Sequence, residues 1–188
     1  MFSWFDELKA SVEAGIASGI EAGFKTLAES FDNRMGEWSK VPEPAEPYRL
    51  IRIFRPATDR TITQDNITIE QDSWKIVSYG EKKVLLFEIP EPEISECLLM
   101  CQAKVKTANL LKPAKLVLSV KNTGGWGYEY CSGIKGTTAW HISTLPFHYK
   151  KERYSGSITV SVEFESVGVF WLKDVEILQA AVKPVDNN

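Results

Sequence analysis

The stretch VPEPAEP (41–47) divides the chain, because the apolar side chains before it repeat at helical spacing and those after it repeat at strand spacing. Each of its prolines, Pro42, Pro44 and Pro47, removes an amide donor and pushes the residue before it into extended backbone, so no helix runs through. The order this implies is an amphipathic helix over 1–40, a semi-rigid proline-rich linker over 41–47, a β domain over 48–183 and a short tail over 184–188.

Upstream of the prolines, Phe5, Leu8, Val12, Ile16, Ile20, Phe24, Leu27, Phe31, Met35 and Trp38 follow one another in steps of three and four, which places them on one helix face. Phe5, Ile16, Leu27 and Trp38 recur every eleven residues, close to the helix's own period. The stripe therefore runs nearly straight, and a left-handed leucine-zipper dimer is disfavoured. Beside it, Gly15, Gly19 and Gly23 form a strip along which another backbone can approach closely. Each glycine costs the helix roughly 1 kcal/mol relative to alanine, so the segment needs a partner to stay ordered. Three coverings are open: its own β domain, a second copy or a partner helix, and a membrane interface, with assembly the leading expectation. Against anionic lipid stands the charge of the first forty residues, seven acids to four bases.

From Tyr48 the pattern becomes short β-branched and aromatic runs separated by turn residues. About nine strands are expected, drawn from runs at 48–54, 66–70, 74–79, 83–89, 96–106, 114–120, 128–131, 138–143, 157–165 and 169–178. In SITVSVEFE the alternation is clean: Ile158, Val160, Val162 and Phe164 face one way, Thr159, Ser161 and Glu163 the other, water-facing way. A mainly-β antiparallel sandwich follows.

Composition narrows the chemistry. A net charge of −3 supplies no basic face for phosphate backbones, so no nucleic-acid partner is expected. Cys97, Cys101 and Cys131 are odd in number, and two lie in the apolar run CLLMC, where free cysteine packs as a small hydrophobe. The opening MFSWFDELK lacks the basic and continuous apolar regions of a secretory signal, and no uncharged run approaches the roughly 20 residues of a membrane span. The expectation is a cytoplasmic protein, or one peripheral at a membrane.

Three stretches carry a family likeness: GTTAW (136–140) with PFHYKKE (146–152), read as turn, strand and turn; SITVSVEFESVGVFWLKDVEIL (157–178), read as closing strands; and YGEKKVLLFEIPEPEISECLLMCQAKVKT (79–107), read as a central hairpin. Over about 48–180 the chain resembles the galactose-binding-domain-like, jelly-roll β-sandwiches shared by many carbohydrate-binding modules. The resemblance implies that fold and a non-catalytic binding role toward sugars, lipids, peptides or protein neighbours. It carries over no binding residue, because the group has no fixed ligand motif.

Candidate ligand contacts come from the residues themselves. Trp126, Tyr128 and Tyr130 fall in and just after the glycine-rich NTGGWGYEYC segment, and with Trp140 they are the candidate platform for a sugar ring or a peptide, although core packing is the leading expectation for aromatics of this size. His141 and His148 lack metal-ligand spacing, so no metal or other cofactor is expected. Glu91 and Glu93 flank Pro92 in a turn where solvated charge is the simpler reading, and 150–153 (KKER) reads as a solvated turn. With no nucleophile elbow, phosphate loop or dinucleotide fingerprint, the expectation is a non-enzymatic assembly or interaction protein whose sandwich displays itself or binds ligand. A membrane-associated carbohydrate- or peptide-binding protein and a hydrolase with an unrecognised site are the alternatives.

Overall fold

A computed structural model describes residues 41–122 and 127–183, with the side chains at 121–131 and 155 outside that description. The helix stripe, its glycine strip and Trp126 therefore lie outside the described residues. So does the tail.

The described chain is antiparallel β throughout: β1 (Arg49–Phe54), β2 (Ile67–Glu70), β3 (Ser73–Ile89), β4 (Glu96–Asn122), β5 (Gly127–Lys150) and β6 (Tyr154–Ala180). They hydrogen-bond in the order β2-β3-β6-β4-β5, and β1 pairs with β6. β2 and β3 are joined through Gln71 and Asp72, both at positive φ (49° and 56°), the handedness of a two-residue hairpin turn.

The runs expected as separate short strands are fewer and longer here. Those at 74–79 and 83–89 are one strand, as are 96–106 with 114–120, 128–131 with 138–143, and 157–165 with 169–178. The PFHY part of the expected turn at 146–152 likewise continues β5. Turn residues bend these strands without ending their pairing. Ser78 pairs with Gly168, Gly80 with Ser166, and Leu110 with Gly136, so a corner crosses the whole sheet. Bulges between Ala108 and Ala114 and between Leu110 and Ala114 supply the extra residues of the bend.

That bend makes one sheet into two layers. Phe164 and Phe170 are six residues apart on β6, about 20 Å if the strand were straight. Their ring centroids are 6.3 Å apart. Trp74 and Phe87, both on β3, likewise meet at 5.0 Å, and Phe87 stacks on Phe54 at 4.1 Å. Between the layers lie Ile76, Val84, Leu86, Leu99, Val105, Leu116, Leu118, Phe147, Val160, Val162 and Leu172.

At the corner, backbone groups that lose sheet partners are taken up by hydroxyls. The Thr107 amide donates to Thr138 Oγ1 (3.2 Å), the Thr107 hydroxyl to Gly136 O (3.1 Å), and the Asn109 amide to Thr137 Oγ1 (3.0 Å). These bonds hold β5 at the point from which Trp140 projects.

The alternation in 157–165 holds on its apolar side, with Ile158, Val160, Val162 and Phe164 all buried. The opposite face is less wet than expected: Ser161 is buried, flanked by Val117 and Leu85 on the neighbouring strands. The proline segment is also more than a spacer. The Ala45 amide donates to Ala181 O (2.9 Å), the Lys183 amide to Glu43 O (3.1 Å), and Pro44 bridges Val182, so residues 43–45 close against the chain's far end.

Candidate functional site

Strand alternation decides which side chains reach the outer surface of the layer that contains β1 and β2. On β6, Phe170 and Leu172 point into the core, so Trp171 and Lys173 point out. On β4, Val105 and Thr107 are buried, which turns Lys104 and Lys106 outward; on β3, Trp74 and Ile76 are buried and Lys75 is outward. Register brings the outward residues into line, since Trp171 pairs with Lys75 on one side and with Lys106 on the other. Trp140 completes the row from β5, next to the His141–Val105 pair.

The row alternates ammonium and indole. Lys75 Nζ lies 5.5 Å from the Trp171 ring centroid, Lys106 Nζ lies 4.3 Å from Trp171 and 5.3 Å from Trp140, and Lys173 Nζ lies 4.8 Å from Trp140. Each distance is within the roughly 6 Å reach of cation–π attraction. Trp140 keeps 38% of its surface exposed, whereas Trp171 is half-buried with its indole nitrogen shielded from solvent. A bulge in the β4–β6 register between Gln102 and Lys104, with Asp174 at φ 50°, puts Lys173 and Asp174 consecutively at the outer surface.

Two carboxylates border the row. Glu70 accepts from Lys75 Nζ at 2.7 Å, and that hydrogen bond, against some desolvation, holds its carboxyl below the usual carboxylate range, with the Lys106 charge adding to it. Asp174 pairs with Lys104 at 3.1 Å. Among the described residues, Lys106 and Lys173 have indole faces for partners and no carboxylate within ion-pair distance.

Of the candidate platform, the structure places Trp140 in this row. Tyr128 and Tyr130 pair through their backbones with Val120 and Leu118, both buried, and their side chains are outside the description. Trp171, Lys75, Lys106 and Lys173 were not singled out from the sequence. Their signal was lysine at every second residue of QAKVKT and tryptophan two before lysine in FWLKD, polar or amphipathic groups on the one face an apolar strand leaves free.

The other candidates take structural places. Glu91 is a tether rather than a solvated turn acid: it accepts from the Gly156 amide (3.2 Å), the Tyr149 hydroxyl (3.2 Å) and Lys151 (3.5 Å), and the Gly156 bond leads in holding its carboxyl below the usual range. Glu93 is exposed. In the expected turn at 150–153, Lys150 is instead the last residue of β5 and pairs with Glu96 at 2.9 Å. His148 also contacts Glu96 (2.8 Å), whereas His141 Nδ1 meets Ala139 O, so the two histidines serve separate contacts. Among the described residues no group of His, Cys, Asp and Glu is arranged to hold a metal. Burial pushes the Cys97 thiol up to about 11 and the Cys101 thiol up to about 12, as fits free thiols inside a core.

A concavity of about 320 Å³ lies apart from the row, between the 56–64 loop and β2, lined by Pro56, Arg60, Gln64, Ile69 and Trp74. Its one carboxylate, Asp59, is occupied by the loop itself through the Arg55 amide (2.9 Å), the Thr58 hydroxyl (2.8 Å) and Arg52 (2.6 Å).

No family model matches the chain, and no curated protein does. Solved structures do. A family 16 carbohydrate-binding module matches at 10% identity and a TM-score of 0.46, over 65% of this chain and 89% of that one. A family 29 carbohydrate-binding module complexed with mannohexaose matches at 11% identity and 0.46, over 74% and 100%. The structure of an infectious bursal disease virus strain matches at 12% and 0.44, over 79% of this chain and 37% of that one. At 10–12% identity each of these is a distant likeness of shape.

Proposed function

We propose that the sandwich is a non-catalytic carbohydrate-binding module and that its ligand lies along the outer row Lys75–Trp171–Lys106–Trp140–Lys173. The observation that carries this reading is the interleaving of two indoles and three ammoniums on four adjacent strands. Indoles offer apolar area to the C–H face of a pyranose, and ammoniums donate to its hydroxyls. A rigid sheet holds both without a folding cost at binding. Among the described residues the carboxylates that border the row, Glu70 and Asp174, are both paired with lysines.

Titration of tryptophan emission against an oligosaccharide array, covering gluco-, manno-, xylo- and galacturono-oligomers, tests the reading. Trp140→Ala is expected to weaken the tightest binder by roughly tenfold or more, as loss of an aromatic anchor does elsewhere. Because Trp140 is 38% exposed, the same variant should melt near the parent temperature. Unchanged affinity in Trp140→Ala and Trp171→Ala, or no binding across the array, would remove the row as the site.

A second element of the proposal is assembly through the first forty residues, supported by the straight apolar stripe from Phe5 to Trp38 and the glycines beside it. Light-scattering masses of the full chain and of a chain starting at Val41 test it. A multimeric full chain with a monomeric shorter one is the expected result, and two monomers would refute it.

A further inference from the structure

We infer that the saccharide taken by this row is an acidic one, bearing carboxylate or sulfate groups; this rests on reading the row as a carbohydrate site and adds the ligand's chemical class. Three ammoniums, Lys75, Lys106 and Lys173, lie over the two indoles against one carboxylate, Glu70, while Lys104 is shared by Asp174 and Glu176. The surplus of two positive charges is local, since the chain as a whole carries −3. It also falls on the two lysines nearest Trp140: Lys106 and Lys173 both lie over that ring, at 5.3 and 4.8 Å.

The position of those ammoniums decides between neutral and acidic ligands. They occupy the indole faces on which a pyranose would stack, so a ligand must move them to reach the rings. A neutral saccharide offers a displaced ammonium only hydroxyl oxygens. An anionic group offers a charge-assisted hydrogen bond, about twice as strong as a neutral one, and leaves the vacated face for the sugar's C–H surface. The exchange therefore favours a ligand with both an anion and a ring. A carboxylate or sulfate beside Trp140 meets Lys106 and Lys173 together. Lys75 and Lys106 belong to strands two apart, about 10 Å at ordinary sheet spacing, which suits a polymer with charge repeated along its length.

The deciding experiment measures tryptophan emission of the full-length protein against trigalacturonate, sulfated dextran, mannohexaose and poly-L-glutamate, at low and at physiological salt. Trigalacturonate, sulfated dextran or both should bind at least roughly tenfold more tightly than mannohexaose, and weaken as salt rises. The double variant Lys106→Met with Lys173→Met should lose that advantage, and Lys106→Arg with Lys173→Arg should keep most of it. Which acidic probe binds better tells carboxylate from sulfate. Equal binding of mannohexaose, unaffected by the methionine pair, would overturn the acidic preference while leaving the row as a sugar site. Binding of no saccharide would overturn both readings. Poly-L-glutamate binding as tightly as the acidic saccharides would show attraction to charge alone, and would overturn the inference.

Discussion

Gly168→Val is expected to cost about 2–6 kcal/mol of stability, the combined scale of backbone strain and overpacking at a single site. Gly168 sits at the corner of β6 with φ 155°, a conformation that residues with a Cβ rarely adopt. Space is closed as well: a Cβ there would lie 2.4 Å from Leu110 Cδ2, 3.2 Å from Leu110 Cα and 3.3 Å from Asn109 O. The Leu110 side chain can rotate away, but the two backbone atoms move only if β4 shifts at its own bend. Trp171 follows three residues later, so distortion here would also displace the row. Urea denaturation measures the cost, and a valine variant within about 1 kcal/mol of the parent would show that the corner is not as tight as its geometry implies.

Phe87→Ala is expected to cost about 3–5 kcal/mol, the range for emptying a buried aromatic site. Phe87 is 3% exposed and lies against rings from two other places in the fold: stacked on Phe54 at 4.1 Å with 10° between planes, and edge-on to Trp74 at 5.0 Å. It joins the far half of β3 to the near half and to β1, the contact that keeps the sheet folded over. Phe87→Leu, which conserves much of the volume, should cost well under half as much. Equal small losses for both variants, read from the same denaturation curves, would place the layer contact elsewhere.

The legible and illegible parts of this fold divide by the range of the interactions involved. Burial along 157–165 was legible because alternation is local, and Ile158 to Phe164 need only their own neighbours to declare a face. The joining of 74–79 to 83–89, or of 157–165 to 169–178, was not, because Gly80 and Gly168 look the same in sequence whether they end a strand or bend it. Only continued pairing across the corner, Ser78 with Gly168 and Gly80 with Ser166, tells the two apart. Closure of residues 43–45 on 181–183 joins segments nearly the whole domain apart, and nothing local announces it.

The site divides in the same way. Trp140 was legible as an aromatic in a strand, but its partners come from β4 and β6 and are set by register across three strands. Lys106 and Lys173 read as ordinary surface charge until pairing puts each over a ring. Glu91, which reads as a solvated turn acid, gains its role from the Gly156 amide and Tyr149, more than fifty residues away. The stripe from Phe5 to Trp38 belongs to residues outside the described part of the chain, and its proposed role stands on sequence alone, with the light-scattering masses as its test.

The proposed function requires that saccharide bind on the outer lysine–tryptophan row. Two-dimensional ¹H–¹⁵N spectra of the full-length protein, titrated with the tightest oligosaccharide of the array, locate the contact directly. The row predicts that the largest shifts fall on the indole N–H groups of Trp140 and Trp171 and on the amides of Lys75, Lys106 and Lys173. Shifts gathered instead around Arg60, Gln64 and Ile69, with both of those indoles unmoved, would contradict it.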